Sequence, residues 1–315
     1  MYNIAPLFGP AFGAVLGGLV SQYIGWRWNF YITSVASTVM FILAIFVLSE
    51  TYAPRILETR MKVVIRETGR TNFRTPYAES RLPLRNLLPT AFARPLRMLA
   101  YEPITQILTL YLAFLYGTMY ILYSTYASLW TTRYHESRSS SGFNYLALGG
   151  GYLIGSLGCT VAVDRIYKRL TLANDGTAKP EYKIPMMIPA SIMTPIGLFI
   201  YGWSAEAHAY RAVPAFGAAL FSAGAMIAFQ CVSGYTVECF SRYSASASSA
   251  NLILRSFAGF AFPLFGPAMY SKMGYGWANS LLGLLAVVLG VPVPLLLWKW
   301  GEKLRQRSHF VGVLD

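Results

Sequence analysis

Long apolar runs alternate with polar, mostly basic segments along nearly the whole chain. Eight runs approach the roughly 20 residues needed to cross a bilayer core. They fall at about 2–22, 28–49, 104–130, 143–163, 185–204, 212–237, 247–270 and 276–298. The second (NFYITSVASTVMFILAIFVL) is apolar on every side, as expected of a helix surrounded by lipid or fully buried. The third (ILTLYLAFLYGTMYILYSTY) is aromatic, and the seventh opens with SASASSA, whose small residues let helix backbones approach closely. The first starts without a basic leader and is long enough to span, so it is expected to be a helix of the protein and not a cleaved signal.

Two polar segments stand out. Residues 50–102 form a long basic loop with ten Lys/Arg, of which 54–68 has the pattern of an amphipathic surface helix and 69–84 reads as irregular. Residues 164–184 (DRIYKRLTLANDGTAKPEYKI) form the second. Placing these two segments, 238–246 and the C-terminal tail on the cytoplasmic side puts 20 of the 26 Lys/Arg there. Orientation follows that bias, so both termini are expected to be cytoplasmic. Trp26, Trp28, Trp203, Trp277, Trp298 and Trp300 fall at the expected interfaces.

Composition sharpens this picture. Hydrophobic residues make up 55% of the 315 and charged residues 12%, about half the usual share for a soluble domain. The net charge of +13 raises nucleic-acid binding as another reading. The basic residues, however, lie in loops between membrane-length segments and not on a soluble face. No nucleic-acid partner is expected. Cys159, Cys231 and Cys239 lie in or near apolar runs without paired spacing, and the three histidines fall in loops. The chain has no HExxH, GxSxG or GxxxxGK[ST] motif. Neither an enzyme, nor a metal site, nor a cofactor is expected.

The hexapeptide PLFGPA occurs twice, at 6–11 and 263–268. In the first and seventh runs it sits in helices of the same direction with six helices' spacing between them, which implies a parallel six-helix repeat. Matching Gly25-Trp26 to Gly276-Trp277 needs an offset of 251 residues, against 257 for the hexapeptides, so part of the literal identity is coincidence. Gly9, Gly13 and Gly17 recur at i, i+4 and i+8, a face where another helix can pack at backbone distance. Pro10 permits a bend.

Four groups of residues have the chemistry for a functional role. Arg255 is a charge inside a spanning segment, expensive unless paired or functional. Glu238, nearly symmetric with it about the 242–246 turn, is its expected partner, either pinning a helical hairpin or serving proton coupling or gating. Asp164 and Arg165, at the end of the fourth run, are read as a surface latch made in one state and broken in another, or as ordinary topology charges. Tyr116, Tyr120 and Tyr123 share one helix face that lines either a cavity or an interhelical contact. Gln230 and Asn251 are polar residues within spans that are expected to face the same cavity.

As a set, several segments resemble the Major Facilitator Superfamily, specifically its fungal twelve-helix drug:proton antiporter branch. GPAFGAVLGG (9–18) resembles the antiporter motif of the family's fifth helix, with Gly9, Gly13, Gly17 and Gly18 matching and Ala14 where a proline is expected. SETYAPRIL resembles the boundary of the sixth helix with the central loop. AFLYGTMY (113–120) resembles the seventh helix, GSLGCTVAVDRIYKR (155–169) the second copy of the loop motif, and ANLILRSFAGFAFPLF (250–265) the eleventh helix. The resemblance covers about 300 residues and begins at the family's fifth helix.

It implies an all-α membrane fold of about eight transmembrane helices. Residues 1–50 would hold the last two helices of an N-terminal bundle and 51–100 a basic cytoplasmic central loop. Residues 101–300 would form a complete six-helix C-terminal bundle, and 301–315 a cytoplasmic tail. It also implies a secondary active transporter, exporting a small organic compound (drug, toxin or secondary metabolite) in exchange for protons, in the plasma membrane. Arg255 and Glu238 would then lie near the cytoplasmic gate. A membrane protein that does not transport, inert or an assembly partner, is the alternative. Facilitated passage of a sugar or amine is a third.

Overall fold

The structure, a computed structural model, describes residues 5–51, 53–69, 84–306, 308 and 310. Among the described residues it is helical throughout, with no strand. In chain order the helices are α1 (Ala5–Tyr23), α2 (Trp26–Val47), α3 (Ala53–Thr68), α4 (Leu84–Tyr101), α5 (Pro103–Ser128), α6 (Arg138–Phe143), α7 (Tyr145–Ala173), α8 (Met187–Glu206), α9 (Ala212–Cys239), α10 (Ser244–Gly290) and α11 (Pro292–Gln306). Short 3-10 turns at Pro180–Met186 and Ser241–Tyr243 lead into α8 and α10. A single π-helical turn, Leu129–Arg133, ends α5.

Six stretches among the described residues are long and apolar enough to cross a membrane: Trp26–Val47, Pro103–Arg133, Ser139–Ala173, Pro180–Glu206, Ala212–Cys239 and Ser244–Gln306. The last has 63 residues, about 95 Å if straight, roughly three hydrocarbon thicknesses. It is not straight. Gly274, at φ 74° and ψ 170°, reverses the chain. The arm after it runs back along the first, with Tyr270 donating to Asn279 at 3.2 Å and stacking on Tyr275. Counting these two arms separately and adding the 19-residue α1, every one of the eight expected spans coincides with a helix.

The chain forms two compact units: α1 together with everything from Arg94 onward, and Ile24–Ala93. In the smaller unit α2 is apolar all round and buries none of its residues. α3 is the expected amphipathic surface helix. Its polar face carries an i,i+4 ion pair, Lys62–Glu58, at 3.4 Å.

In the larger unit α9 lies between α7 and α8, and the first arm of α10 runs parallel to α5. Small residues set the α7–α9 distance. A Cβ on Gly155 would lie 2.6 Å from the Ala223 carbonyl oxygen, and one on Gly151 would collide with that of Ala219. Trp130, Tyr111, Tyr126, Tyr201, Tyr235 and Phe221 are the largest fully buried side chains. α1 packs on α6 and α7 through Ala14 and Val15, against Gly142. Among the described residues, a Cβ at Gly9, Gly13 or Gly17 would meet nothing within 4 Å. The Pro10 side chain lies outside the described residues, though the α1 backbone is helical through that position.

Two segments expected as loop are helical. The end of the central basic segment is α4, which buries Pro95 and Met98. α7 runs on to Ala173, because DRIYKRLTLA contains no breaker until Asn174-Asp175-Gly176, where Asp175 and Gly176 take positive φ. Asp164 and Arg165 therefore stand on a helix and not in a loop.

Candidate functional site

A cavity of about 970 Å³ opens within the larger unit between α5, α7, α9 and α10. Every residue of the expected tyrosine stripe lines it, as does Gln230. The three tyrosines share a wall because 116, 120 and 123 return to one side of α5 every turn. The Tyr116 and Tyr120 hydroxyls are 3.3 Å apart, and Tyr120 meets Tyr123 edge-on at 6.0 Å. Gln230 donates to the Ser156 hydroxyl at 2.6 Å, joining α9 to α7. Phe229, Met226, Tyr152, Cys159 and Cys231 belong to the same lining; the two sulfurs lie 3.8 Å apart.

Four charged residues line the cavity: Asp164, Lys183, Glu238 and Arg255. Their pairing differs from expectation. Glu238 forms its ion pair with Lys183 at 2.5 Å, so it does not pin Arg255. Lys183 reaches it by lying across Gly234, where a Cβ would come within 3.2 Å of the lysine stem. Arg255 instead lies over two rings, 4.8 Å from the centroid of Tyr116 and 5.7 Å from that of Phe229. Its Nε is buried without an acceptor among the described residues. Asp164 is exposed at the mouth and forms no ion pair among the described residues. Arg165 is exposed and outside the lining.

Asn251 is also placed differently. It borders a smaller cleft of about 310 Å³ beside Arg255, and its amide ties three helices together. Its Oδ1 accepts from Thr109 of α5 at 2.6 Å, and its Nδ2 donates to Thr236 of α9 at 3.2 Å. Interhelical hydrogen bonds in membranes contribute about 0.6–1.7 kcal/mol each. Asn251→Ala is therefore expected to destabilise the fold by about 1–2 kcal/mol, read as a lower midpoint in thermal unfolding of the detergent-purified protein. An unchanged midpoint would remove this tie from the account.

The opposite end of the unit is closed. Arg133 pairs with Glu206 at 3.6 Å and lies over the Tyr275 ring. Glu206 Oε2 accepts the Tyr275 and Gly276 amides at 2.6 and 3.3 Å. Arg211 pairs with the buried Glu136 at 3.1 Å. Beneath them lie Trp130, Tyr126 and Tyr201. The cavity thus opens toward Asp164, Lys183 and Glu238 and is sealed toward Arg133 and Arg211.

Phe229 and Met226 could have been read from the sequence, since 226, 229, 230 and 233 lie on one side of a helix. Lys183 could not, because its place depends on how the 180–186 turn returns to α9.

Comparison with known proteins agrees with this architecture. The family model described as Major Facilitator Superfamily matches residues 1–263. The MFS-type transporter penM of Penicillium rubens is 39% identical over 309 residues, covering 98% of this chain and 60% of the relative. The efflux pump vrtL of Penicillium aethiopicum is 38% identical over 312 residues, covering 99% and 61%. The efflux pump radE of Floropilus chiversii is 39% identical over 311 residues, covering 98% and 57%. The chain therefore spans about 60% of the length of these relatives. Its bundle of long apolar helices, packed through small residues around a cavity, and a family match over most of its length place this multi-pass membrane protein in the Major Facilitator Superfamily.

Proposed function

We propose that this chain acts in proton-coupled efflux of a small organic compound, with the tyrosine-lined cavity as its part of the substrate site. The observation that carries the reading is a cavity of about 970 Å³ walled by aromatic and apolar side chains, with a few polar groups and Arg255. Sites for flat amphipathic molecules have this size and mix. Two of the relatives are named efflux pumps, which supports the direction. The basic residues of 164–184 beside the cavity mouth support a cytoplasmic opening under the positive-inside rule, the side from which an exporter loads. The plasma membrane is the proposed location. In this reading the Lys183–Glu238 pair ties the start of α8 to the end of α9 across the mouth. Asp164, with Arg165 beside it, is the surface carboxylate free to engage when the bundle rocks.

A second reading is a membrane component that does not transport by itself. The cavity walls support it, because a transporter's site lies between two helical repeats and the described lining residues all come from α5 and the segments after it. Reconstitution separates the readings. The purified chain in liposomes, given an amphipathic aromatic dye and a pH gradient, is expected to move dye against its gradient with coupled proton flux. An uncoupler should abolish both. Dye flux that survives the uncoupler would indicate facilitated passage, and no flux at all would favour the non-transporting component.

A further inference from the structure

We propose that the cavity takes a planar aromatic compound carrying an anionic acid group, an aromatic carboxylate above all, with Arg255 as the anion receptor. This rests on the reading of the cavity as a substrate site. The first observation is the charge balance. Of the four charges lining the cavity, Lys183 and Glu238 neutralise each other at 2.5 Å, and Asp164 stands exposed at the mouth. Arg255 is left with no carboxylate within ion-pair distance among the described residues, and its Nε lacks an acceptor. It lies eleven residues into α10, about 16 Å from the helix start. An unpaired guanidinium that far into a spanning helix is costly unless something satisfies it.

The second observation is how the guanidinium is held. Cation–π contact with Tyr116 and Phe229, whose rings stand nearly perpendicular to each other, holds the guanidinium without supplying a carboxylate to its N–H donors, which stay available to a partner in the plane. A carboxylate matches that fork with two parallel charge-assisted hydrogen bonds. The third observation is the platform beside it. Tyr120 and Tyr123, edge-on to each other, offer a corner in which a ring attached to that carboxylate can stack. An amine would meet the bare cation instead and be repelled. The position of the charge thus selects among flat molecules that the aromatic wall alone would accept equally.

The test compares three probes of one shape: 2-naphthoate, 2-naphthamide and 2-naphthylmethylamine. They are titrated calorimetrically into the purified full chain in neutral phosphatidylcholine nanodiscs, so that no anionic headgroup competes. Naphthoate is expected to bind at least about tenfold more tightly than the amide, and the amine more weakly than either. Arg255→Gln is expected to erase the preference for the acid, and Arg255→Lys to keep the charge but lose most of the preference with the planar fork. Equal binding of all three probes overturns the inference and leaves the cavity as a general aromatic site. Binding of none, by protein with an intact unfolding transition, overturns the substrate-site reading as well. The three-probe comparison on the unaltered chain decides the matter even if an Arg255 variant fails to fold.

Discussion

Gly155→Leu is expected to abolish recovery of folded protein, whereas Gly158→Leu three positions along the same helix is expected to be tolerated. At Gly155 the added Cβ would sit 2.6 Å from the Ala223 carbonyl oxygen and 2.8 Å from its Cα. These are backbone atoms, so no rotamer change relieves the clash, and α7 and α9 must separate. Overpacking in a close-packed core costs about 1–3 kcal/mol even when side chains can give way. Here the rigid backbone puts the cost at about 3 kcal/mol or more, a large part of a total stability of about 5–15 kcal/mol. At Gly158 a Cβ meets nothing within 4 Å among the described residues, and leucine's helix propensity exceeds glycine's. The measurement is the monodisperse fraction in size-exclusion chromatography of the tagged variants, with thermal unfolding of whatever survives. Equal yields from the two variants would show that α7 and α9 do not meet at Gly155.

Gly274→Ala carries the second large effect. At φ 74° and ψ 170° the residue occupies a region essentially restricted to glycine, where another side chain costs about 1–3 kcal/mol. Its Cβ would also lie 2.8 Å from Glu206 Oε2, the oxygen that accepts the Tyr275 and Gly276 amides. Moving that carboxylate leaves the first amides of the second arm without their acceptor, a loss of capping worth about 0.5–2 kcal/mol. Together the change should destabilise the protein by about 2–5 kcal/mol. Glu206→Gln keeps an acceptor oxygen and loses the ion pair to Arg133, at a cost of about 1 kcal/mol or less for so exposed a pair. Unfolding midpoints in the order unaltered, Glu206→Gln, Gly274→Ala are expected. Equal midpoints for the two variants would remove backbone conformation as the cause.

Most of the architecture was legible in the sequence because apolar run length and helix period are local properties. The tyrosine stripe of α5 follows from i, i+4, i+7 spacing alone, and α3 from its amphipathic pattern. What failed depended on distant parts of the chain. Glu238 and Arg255 lie close in sequence across a turn, which made them look like a pair, but Lys183 arrives from an earlier turn and takes the carboxylate. Asn251 and Arg255 share a helix face at i, i+4, yet only the long arginine reaches the large cavity. The short asparagine is held by Thr109 and Thr236. The α1 glycines match a packing motif, and the close approach seen among the described residues is made at Ala14, the motif's proline position, by Gly142 of the distant α6. The α4 helix lies within the central basic segment, which carries no apolar run of membrane length and therefore reads as loop.

The parallel pairing of α5 with the first arm of α10 governs how the protein is made. The Thr109–Asn251 hydrogen bond joins residues 142 apart. At a synthesis rate of roughly 5–20 residues per second, α5 waits on the order of ten seconds for its principal neighbour to leave the ribosome. During that interval its threonines and tyrosines sit in the bilayer, or in the care of an insertion chaperone, without the helix that later covers them. A nascent chain stalled before residue 251 would display that uncovered face, a ready mark for quality control to distinguish unfinished molecules from finished ones.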